Sequence, residues 1–556
     1  MKKQVLLLMT MLLMAVNGVM AQAPNWLWAK KTSYITGSYL PPVTTYDAFG
    51  NVYIAGSFSN PTLNIGGITL NNFSNIGFYQ DIYLAKFDAN GNVIWAKNFG
   101  KASSNWVSAI TTDANGNVYI AGKSDSSIVF GNDTLSGFVM FLAKFNSSGN
   151  AIWGKGFQGD IYQRTDGISV DGSGNIVTTG LFNSNHLTFG AINLTNNDTI
   201  NNTLDAFVAK FNSNGSVLWA MSGGNIYNDW GNAVTTDASG NIFLTGSFSG
   251  SIQFGSISLV GNASTEFDAF IFKISPNGTT IWGKTSNGPS DSKGQGILTD
   301  ASGNLFISGG FYSFNTSINT LSFGSLTLTN ASSNSASTNC FWLKLDNNGN
   351  VLNGDRIGGS GQVMEEYVQL DGNGNLYVYG SFTDSINIGT SKLTVNGGRD
   401  IFIVKYNPSG NVLWAKAVGG DKEESPNGLG VNAQGYIYVS GYYYSSSVIF
   451  GSTTLTNPDV TGNYYNSFLA KLDATNGIEE IPTSPITLSP NPTTGIITIK
   501  GITQPTVEVY NLMGQKLVAA QNTYEVSLAN LPMGLYLVQV YSKDMELVKS
   551  EKVIKE

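Results

Sequence analysis

Histidine and cysteine are nearly missing from this 556-residue chain, where His186 and Cys340 are single occurrences. A lone cysteine excludes an internal disulfide. A lone histidine removes His-based zinc sites and Ser-His-Asp triads. Cys340 lies in "NCFWLK", where two related segments carry Ala206 and Ala269, so it reads as a small buried residue rather than a reactive thiol. Charge is scarce too. Charged residues make up 12% of the chain, about half the usual share. The net charge of −8 leaves no basic patch of the kind a phosphate backbone requires, so nucleic acid is not an expected partner. Beyond the N-terminus no apolar run is long enough to cross a bilayer, and no transmembrane segment is expected. No cofactor motif and no metal-ligand set is expected either.

Asn, Ser, Thr and Gly stand where the charges are missing, a composition that suits turns and exposed β-structure. The chain opens "MKKQVLLLMTMLLMAVNGVMAQA". Lys2 and Lys3 precede an apolar stretch from Val5 to Val16, and small residues occupy Val19 and Ala21. This predicts a signal peptide over residues 1–21, cleaved between Ala21 and Gln22.

A glycine-led apolar motif then recurs at Gly50, Gly116, Gly174, Gly240, Gly303, Gly374 and Gly435, with spacings of 58 to 71 residues. Each copy holds the same parts in order. A polar-apolar stretch such as "SAITTDA" precedes a tight "DANGN" or "DASGN" turn. The turn leads into an apolar run, "NVYIAG". A short insert follows, as in "IQFGSISL", then "DAFVAKF", a second turn and a tryptophan strand such as "VIWAK". Four strands per copy, named A to D here, joined by short turns, describe a propeller blade. The last copy lacks its tryptophan strand, while "NWLWAKK" at the N-terminus has no copy before it. The expected fold is therefore all-β: a seven-bladed β-propeller over residues 22–477, closed by the N-terminal strand. On "GNVYIAG", "DAFVAKF" and "GNVIW" the chain resembles the bacterial seven-bladed β-propeller repeat family, a resemblance that fixes neither reaction nor ligand.

After Gly477 the pattern stops. Residues 478–487 read as a linker, and residues 488–556 predict a small Ig-like antiparallel β-sandwich. The matching residues are Asn491-Pro492 with Gly495, Tyr510 and Gly514 in "VEVYNLMGQ", Pro532 with Gly534 and Tyr536, and the ending "KVIKE". On these the segment resembles the type A C-terminal sorting domain of the type IX secretion system. That resemblance implies export through the periplasm and across the outer membrane, to the cell surface or the medium, with the secretion machinery as partner.

Residues common to all copies read as scaffold: the seven strand-C lysines from Lys86 to Lys471 and the strand-D tryptophans. "DANGN" reads as an Asx turn, since an EF-hand loop needs its glycine later and a distant Glu. The varying residues lie near the start of strand A. Ser108, Asp166, Asn232, Gln295, Glu366 and Asn427 align five residues before the turn, which predicts a polar ring at a channel mouth. Trp106, Tyr162, Arg164 and Trp230 flank it. Exposed rings beside polar groups suit a carbohydrate or protein ligand. Two other readings stay open. One is a propeller glycoside hydrolase or lyase using paired carboxylates, with Asp166 and Glu366 as the pair to measure. The other is a structural or adhesive surface protein. A binding role, without catalysis, is the expectation.

Overall fold

The computed structural model describes residues 23–35, 42–47, 49–74, 79–101, 103–159, 161–198, 203–262, 266–312, 320–330, 338–432, 434–458, 465–474, 486–511, 515–543 and 547–556, without the side chains of Glu365, Glu366, Leu547 and Val548. The signal segment with Ala21 and Gln22, most of the linker, Gly514 and the Glu366 side chain therefore lie outside the described residues. The chain divides into two compact units between Asn476 and Gly477.

In the first unit each sequence repeat folds into a four-stranded antiparallel sheet. The second repeat illustrates the order: strand A is Asn105–Thr112, B is Val118–Ser124, C is Val139–Phe145 and D is Ala151–Gly159. Among the described residues the order A-B-C-D occurs seven times. Strands B and C are central and covered on both faces, so Val52–Phe58 is buried throughout. This explains why they read as unbroken apolar runs rather than alternations. Strand D meets solvent on one side, where Ile94, Ile152, Leu218 and Ile281 stand about half exposed. The short insert between B and C is a hairpin in its own right. Ser251–Phe254 pairs with Ile257–Val260, Gly255 supplies the positive φ at its turn, and Ile252 and Phe254 are fully buried beneath it. In the third and sixth repeats this hairpin also pairs with strand D of the preceding repeat, Gln158 with Thr188 and Gly358 with Asn387.

The recurring polar residues hold one sheet to the next. Asp113 Oδ1 accepts the backbone N–H groups of Asn115 and Asn117 at 2.9 Å each, and Oδ2 accepts from the Asn117 side chain at 2.8 Å. Both oxygens thus serve the turn itself. The strand-D indoles reach forward. Trp95 donates to Ser147 O (3.1 Å), Trp153 to Ser213 O (3.2 Å), Trp219 to Pro276 O (3.0 Å) and Trp282 to Asn347 O (3.2 Å), each in the C–D turn of the following repeat. Asn353, where tryptophan is replaced, donates to Ser409 O at 2.7 Å and keeps the same link. The strand-C lysines are anchored as well. Lys210 and Lys405 pair with Asp171 (3.1 Å) and Asp371 (3.3 Å). Lys273 and Lys471 donate to Asn347 O and Ala89 O, each at 3.2 Å. Lys86, Lys144 and Lys344 lie 5.0 to 5.1 Å from the rings of Tyr53, Tyr119 and Phe306.

From the second repeat to the seventh, strand A carries a β-bulge. Register breaks fall between Val107 and Ala109, Thr165 and Gly167, Gly231 and Ala233, Gly294 and Gly296, Met364 and Tyr367, and Pro426 and Gly428. The unpaired residues include Ser108, Asp166, Asn232, Gln295, Glu366 and Asn427, the six positions aligned from sequence. A bulge bends its strand and turns one side chain out of the alternation. The bend presses a carbonyl toward strand B, where a Cβ on Gly122, Gly180, Gly246 or Gly309 would overlap the oxygen of Trp106, Arg164, Trp230 or Lys293. Steric room for that carbonyl accounts for a glycine at this position of strand B.

The N-terminal strand Trp26–Ile35 pairs antiparallel with Tyr465–Leu472, with Trp28 opposite Lys471. It supplies the outermost strand of the seventh sheet. Lys30 then donates to Asn92 Oδ1 at 2.7 Å, just as Lys97 donates to Asn150 Oδ1 at 2.6 Å. The first sheet's innermost strand, Val43–Tyr46, also meets strand B of the seventh sheet, Ile437–Tyr443, where Ser440 Oγ donates to Thr44 Oγ1 at 2.8 Å.

In the second unit, a three-stranded and a four-stranded sheet enclose Leu488, Ile497, Ile499, Val507, Val509 and Val538. Asn491 clamps the last strand, donating to Lys552 O (2.7 Å) and accepting from Ile554 N (3.1 Å). Tyr536 donates to Pro532 O at 2.6 Å, and Tyr510 donates to Glu508.

A variant beginning at Ser33 loses the Trp26 ring, which meets Phe450 edge-on at 4.9 Å. It also uncovers the strand Tyr465–Leu472. It is expected to unfold at lower temperature than the full chain, and Trp26→Ala alone should cost about 2 kcal/mol, less than the roughly 3–5 kcal/mol of a fully buried aromatic because the ring is half-buried. Calorimetry checks this. An unchanged melting curve would mean the strand contributes nothing.

Candidate functional site

Three of the bulge residues meet in one cavity. Asp166, Asn232 and Gln295 come from the third, fourth and fifth repeats. Together with Arg164, Trp230, Lys293 and Tyr367 they line a space of about 370 Å³. A neighbouring space of about 200 Å³ shares Lys293 and Gln295 and extends to Tyr312, Thr338 and Met364.

The electrostatics of this cavity begin with Arg164 and Asp166. The guanidinium grips the carboxylate twice, through Nε at 2.6 Å and Nη2 at 3.2 Å. Burial nevertheless raises Asp166 to about 6, with Arg164 opposing the rise only in part. Asn232 turns its amide toward the next sheet and donates to Gly294 O at 2.8 Å. Gln295 is exposed, and Tyr367 lies 36% exposed with its ring 6.4 Å from Tyr379.

The flanking rings are less open than the sequence suggests. Trp106, Tyr162 and Trp230 are each partly buried, because lysines from strands B and A fold over them. The Lys123 amine lies 4.3 Å from the Trp106 ring, 5.3 Å from Tyr162 and 5.8 Å from Phe138. Trp230 stacks on Phe267 at 4.6 Å and 20°, and Lys293 sits 4.7 Å from Trp230. Burial lowers both lysines, against the opposing charges of Asp125 and Asp291. The expectation of three free stacking platforms is therefore corrected: these rings already carry intramolecular partners. Tyr162 also acts electrostatically on Arg164, linking the Trp106 cluster to the cavity.

The expected polar ring is likewise only partly assembled at the cavity. Ser108 is half-buried and donates to Ala121 O at 3.4 Å. Asn427 is 3% exposed, folded into the protein rather than lining a mouth. Without the Glu366 side chain, Asp166 has no described second carboxylate among the cavity-lining residues. Sequence reasoning missed Tyr367 and the capping role of Lys123 and Lys293. Tyr367 directly follows the bulge, so chain position held a signal for it, whereas the lysine caps depend on contacts between strands.

Because the folded value of Asp166 lies above the ordinary one, its contribution to stability is complete below about pH 4 and is lost as pH rises through about 6. Asp166→Asn should flatten the pH dependence of the melting temperature across that interval. An unaltered slope in the variant would assign the dependence elsewhere.

A relative among curated proteins is an uncharacterized WD repeat-containing protein of Acanthamoeba polyphaga mimivirus, 24% identical over 465 residues. The match covers 69% of this chain and 32% of the viral protein, so the chain spans about a third of the length of that relative. Among solved structures, the Neurospora crassa Pan2 WD40 domain is similar at 9% identity and a TM-score of 0.37, covering 81% of this chain and 98% of that one. PorZ of Porphyromonas gingivalis, described as an essential bacterial surface component of the type-IX secretion system, gives 11% identity and a TM-score of 0.14, covering 96% and 99%. Two family models match within the chain: a beta-propeller repeat at residues 94–128 and, at residues 487–556, a secretion system C-terminal sorting domain.

Proposed function

We propose that this is an exported seven-bladed β-propeller, closed by its N-terminal strand, which binds a saccharide at the cavity lined by Asp166, Asn232 and Gln295. Its Ig-like C-terminal sandwich directs passage through the type IX secretion machinery to the cell surface or the medium. The sorting-domain match at residues 487–556 supports export. The pairing of Trp26–Ile35 with Tyr465–Leu472 and the Ser440–Thr44 contact support closure.

The observation that carries the binding reading is the convergence of three bulge side chains on one cavity. Primary amides both donate and accept, as sugar hydroxyls require, and Tyr367 adds a partly exposed ring. Binding is favoured over hydrolysis because Arg164 engages both oxygens of Asp166. A carboxyl held in this way is poorly placed to give up a proton to a leaving group.

Two experiments test the two halves of this reading. A glycan array probed with the full chain should give a discrete set of ligands. Gln295→Ala with Tyr367→Ala should then weaken the best of them at least tenfold, roughly 1.4 kcal/mol, while leaving the melting temperature unchanged. An array without signal, or a double variant that binds normally, would reject the saccharide. Independently, a chain ending at Ala474 should fold and accumulate in the periplasm of its host. Wild-type amounts at the surface or in the medium would show that the tail is not needed for export.

A further inference from the structure

Where successive sheets of the first unit meet, the first residue of strand A touches the segment that leads into strand C of the repeat before it. At the seam between the first and second repeats this residue is Asn105. Its backbone N–H donates to Gln80 O at 2.9 Å, and its side-chain amide donates to Gln80 O at 3.1 Å and Ser103 O at 2.8 Å. Gln163 begins strand A of the third repeat. The fourth repeat begins instead with Asp229, whose backbone donates to Leu204 O at 2.6 Å.

Asp229 faces a second acid, Asp205, at the start of strand C. The two flank Gly224, where an added Cβ would run into both carboxyl groups. Both residues are 0% exposed. One oxygen of each is engaged: Asp229 Oδ2 accepts from Asn225 N at 3.0 Å, and Asp205 Oδ2 accepts from Asn197 N and Nδ2 at 2.9 and 3.1 Å. The other oxygen, Oδ1 in both cases, is buried without a hydrogen-bond partner among the described residues. Among those residues no lysine or arginine forms an ion pair with either acid, and the nearby charge that acts on Asp205 is a further acid, Asp198. The seam between the sixth and seventh repeats also pairs two acids, Asp400 and Glu424, but there Arg399 stands close by, donating to Ser425 Oγ at 3.4 Å.

Two carboxylates this close in a dry interior cannot both stay ionised. We infer that Asp205 and Asp229 share a proton in the folded protein at neutral pH, which makes the seam between the third and fourth repeats an alkali-sensitive joint. The amides of Asn105 and Gln163 at the two preceding seams favour a proton over a metal ion here. A protonated carboxyl group is a hydrogen-bond donor, as the Asn105 amide is, and so suits the place the amide occupies. Burial pushes Asp205 up to about 7, with Asp198 adding to the rise. Burial, then the charge of Asp205, pushes Asp229 up to about 9. Both folded values exceed the ordinary one near 4. The seam is therefore held fully below about pH 4 and loosens as pH rises through the two folded values.

Hydrogen exchange on the full chain tests this, with rates corrected for intrinsic exchange, from about pH 6 to about pH 9.5. Protection of amides 225–232 should fall by up to about tenfold per pH unit above neutrality, while amides 103–112 at the Asn105 seam hold theirs. Asp229→Asn should abolish the fall, and Asp205→Asn serves as a second variant if the first does not fold. An equal loss at both seams, or an undiminished loss in a folded variant, would overturn the inference. So would about 1 mM calcium restoring protection at high pH in the wild type but not in Asp229→Asn, because the pair would then be a cation site.

Discussion

The hydrogen bond from one sheet to the turn of the next is the interaction on which the first unit depends. A four-stranded sheet with two apolar faces cannot persist alone; each face needs a neighbour. Packing of apolar faces is not directional, and it would tolerate sliding. The indole bonds of Trp95, Trp153, Trp219 and Trp282 remove that freedom by tying each sheet to a single carbonyl on the following one. Asn353 makes the point most clearly. Its small amide replaces almost none of the lost ring area, yet it reaches Ser409 O. At that seam the chain has kept the link and given up the bulk.

Once the sheets are fixed, the inner strands are free to serve another purpose. The bulge in strand A costs ladder pairing, and the glycines opposite it cost side-chain packing. Both are tolerated because strands B and C carry the core. The result is a repeated position whose side chain is released from the alternation of buried and exposed residues. At Asp166, Asn232 and Gln295 that release produces a cavity wall. At Asn427 the side chain turns inward instead and is buried.

Much of this was legible in the chain. The repeat period marks the sheets, and the apolar runs mark strands B and C. The tryptophan segment at the N-terminus matches the missing strand after Lys471. The six bulge residues could be aligned by counting back from the turn. What could not be read is which way each side chain faces, since a bulge resets the alternation by one residue and the sequence pattern does not show the reset. The lysine caps were hidden for a different reason. Lys123 and Lys293 each meet rings supplied by more than one strand, and contacts of that kind follow from the bend of the sheet rather than from spacing along the chain. The buried acids at the seams were illegible because Asp205 and Asp229 look like ordinary turn residues until their lack of solvent is known.

The bulge has one more consequence. A residue in a regular ladder is constrained by two neighbours across the sheet, so changing it disturbs partners and register together. A bulged residue opposes no single partner. The positions of Ser108, Asp166, Asn232, Gln295, Glu366 and Asn427 are thus places where the chain can vary its chemistry with little penalty to the scaffold. Their actual contents, a hydroxyl, two acids and three amides, already display that latitude. Seen this way, the inner strands behave as a row of interchangeable slots, and a new preference could arise by exchanging the contents of a few of them while the frame stays as it is.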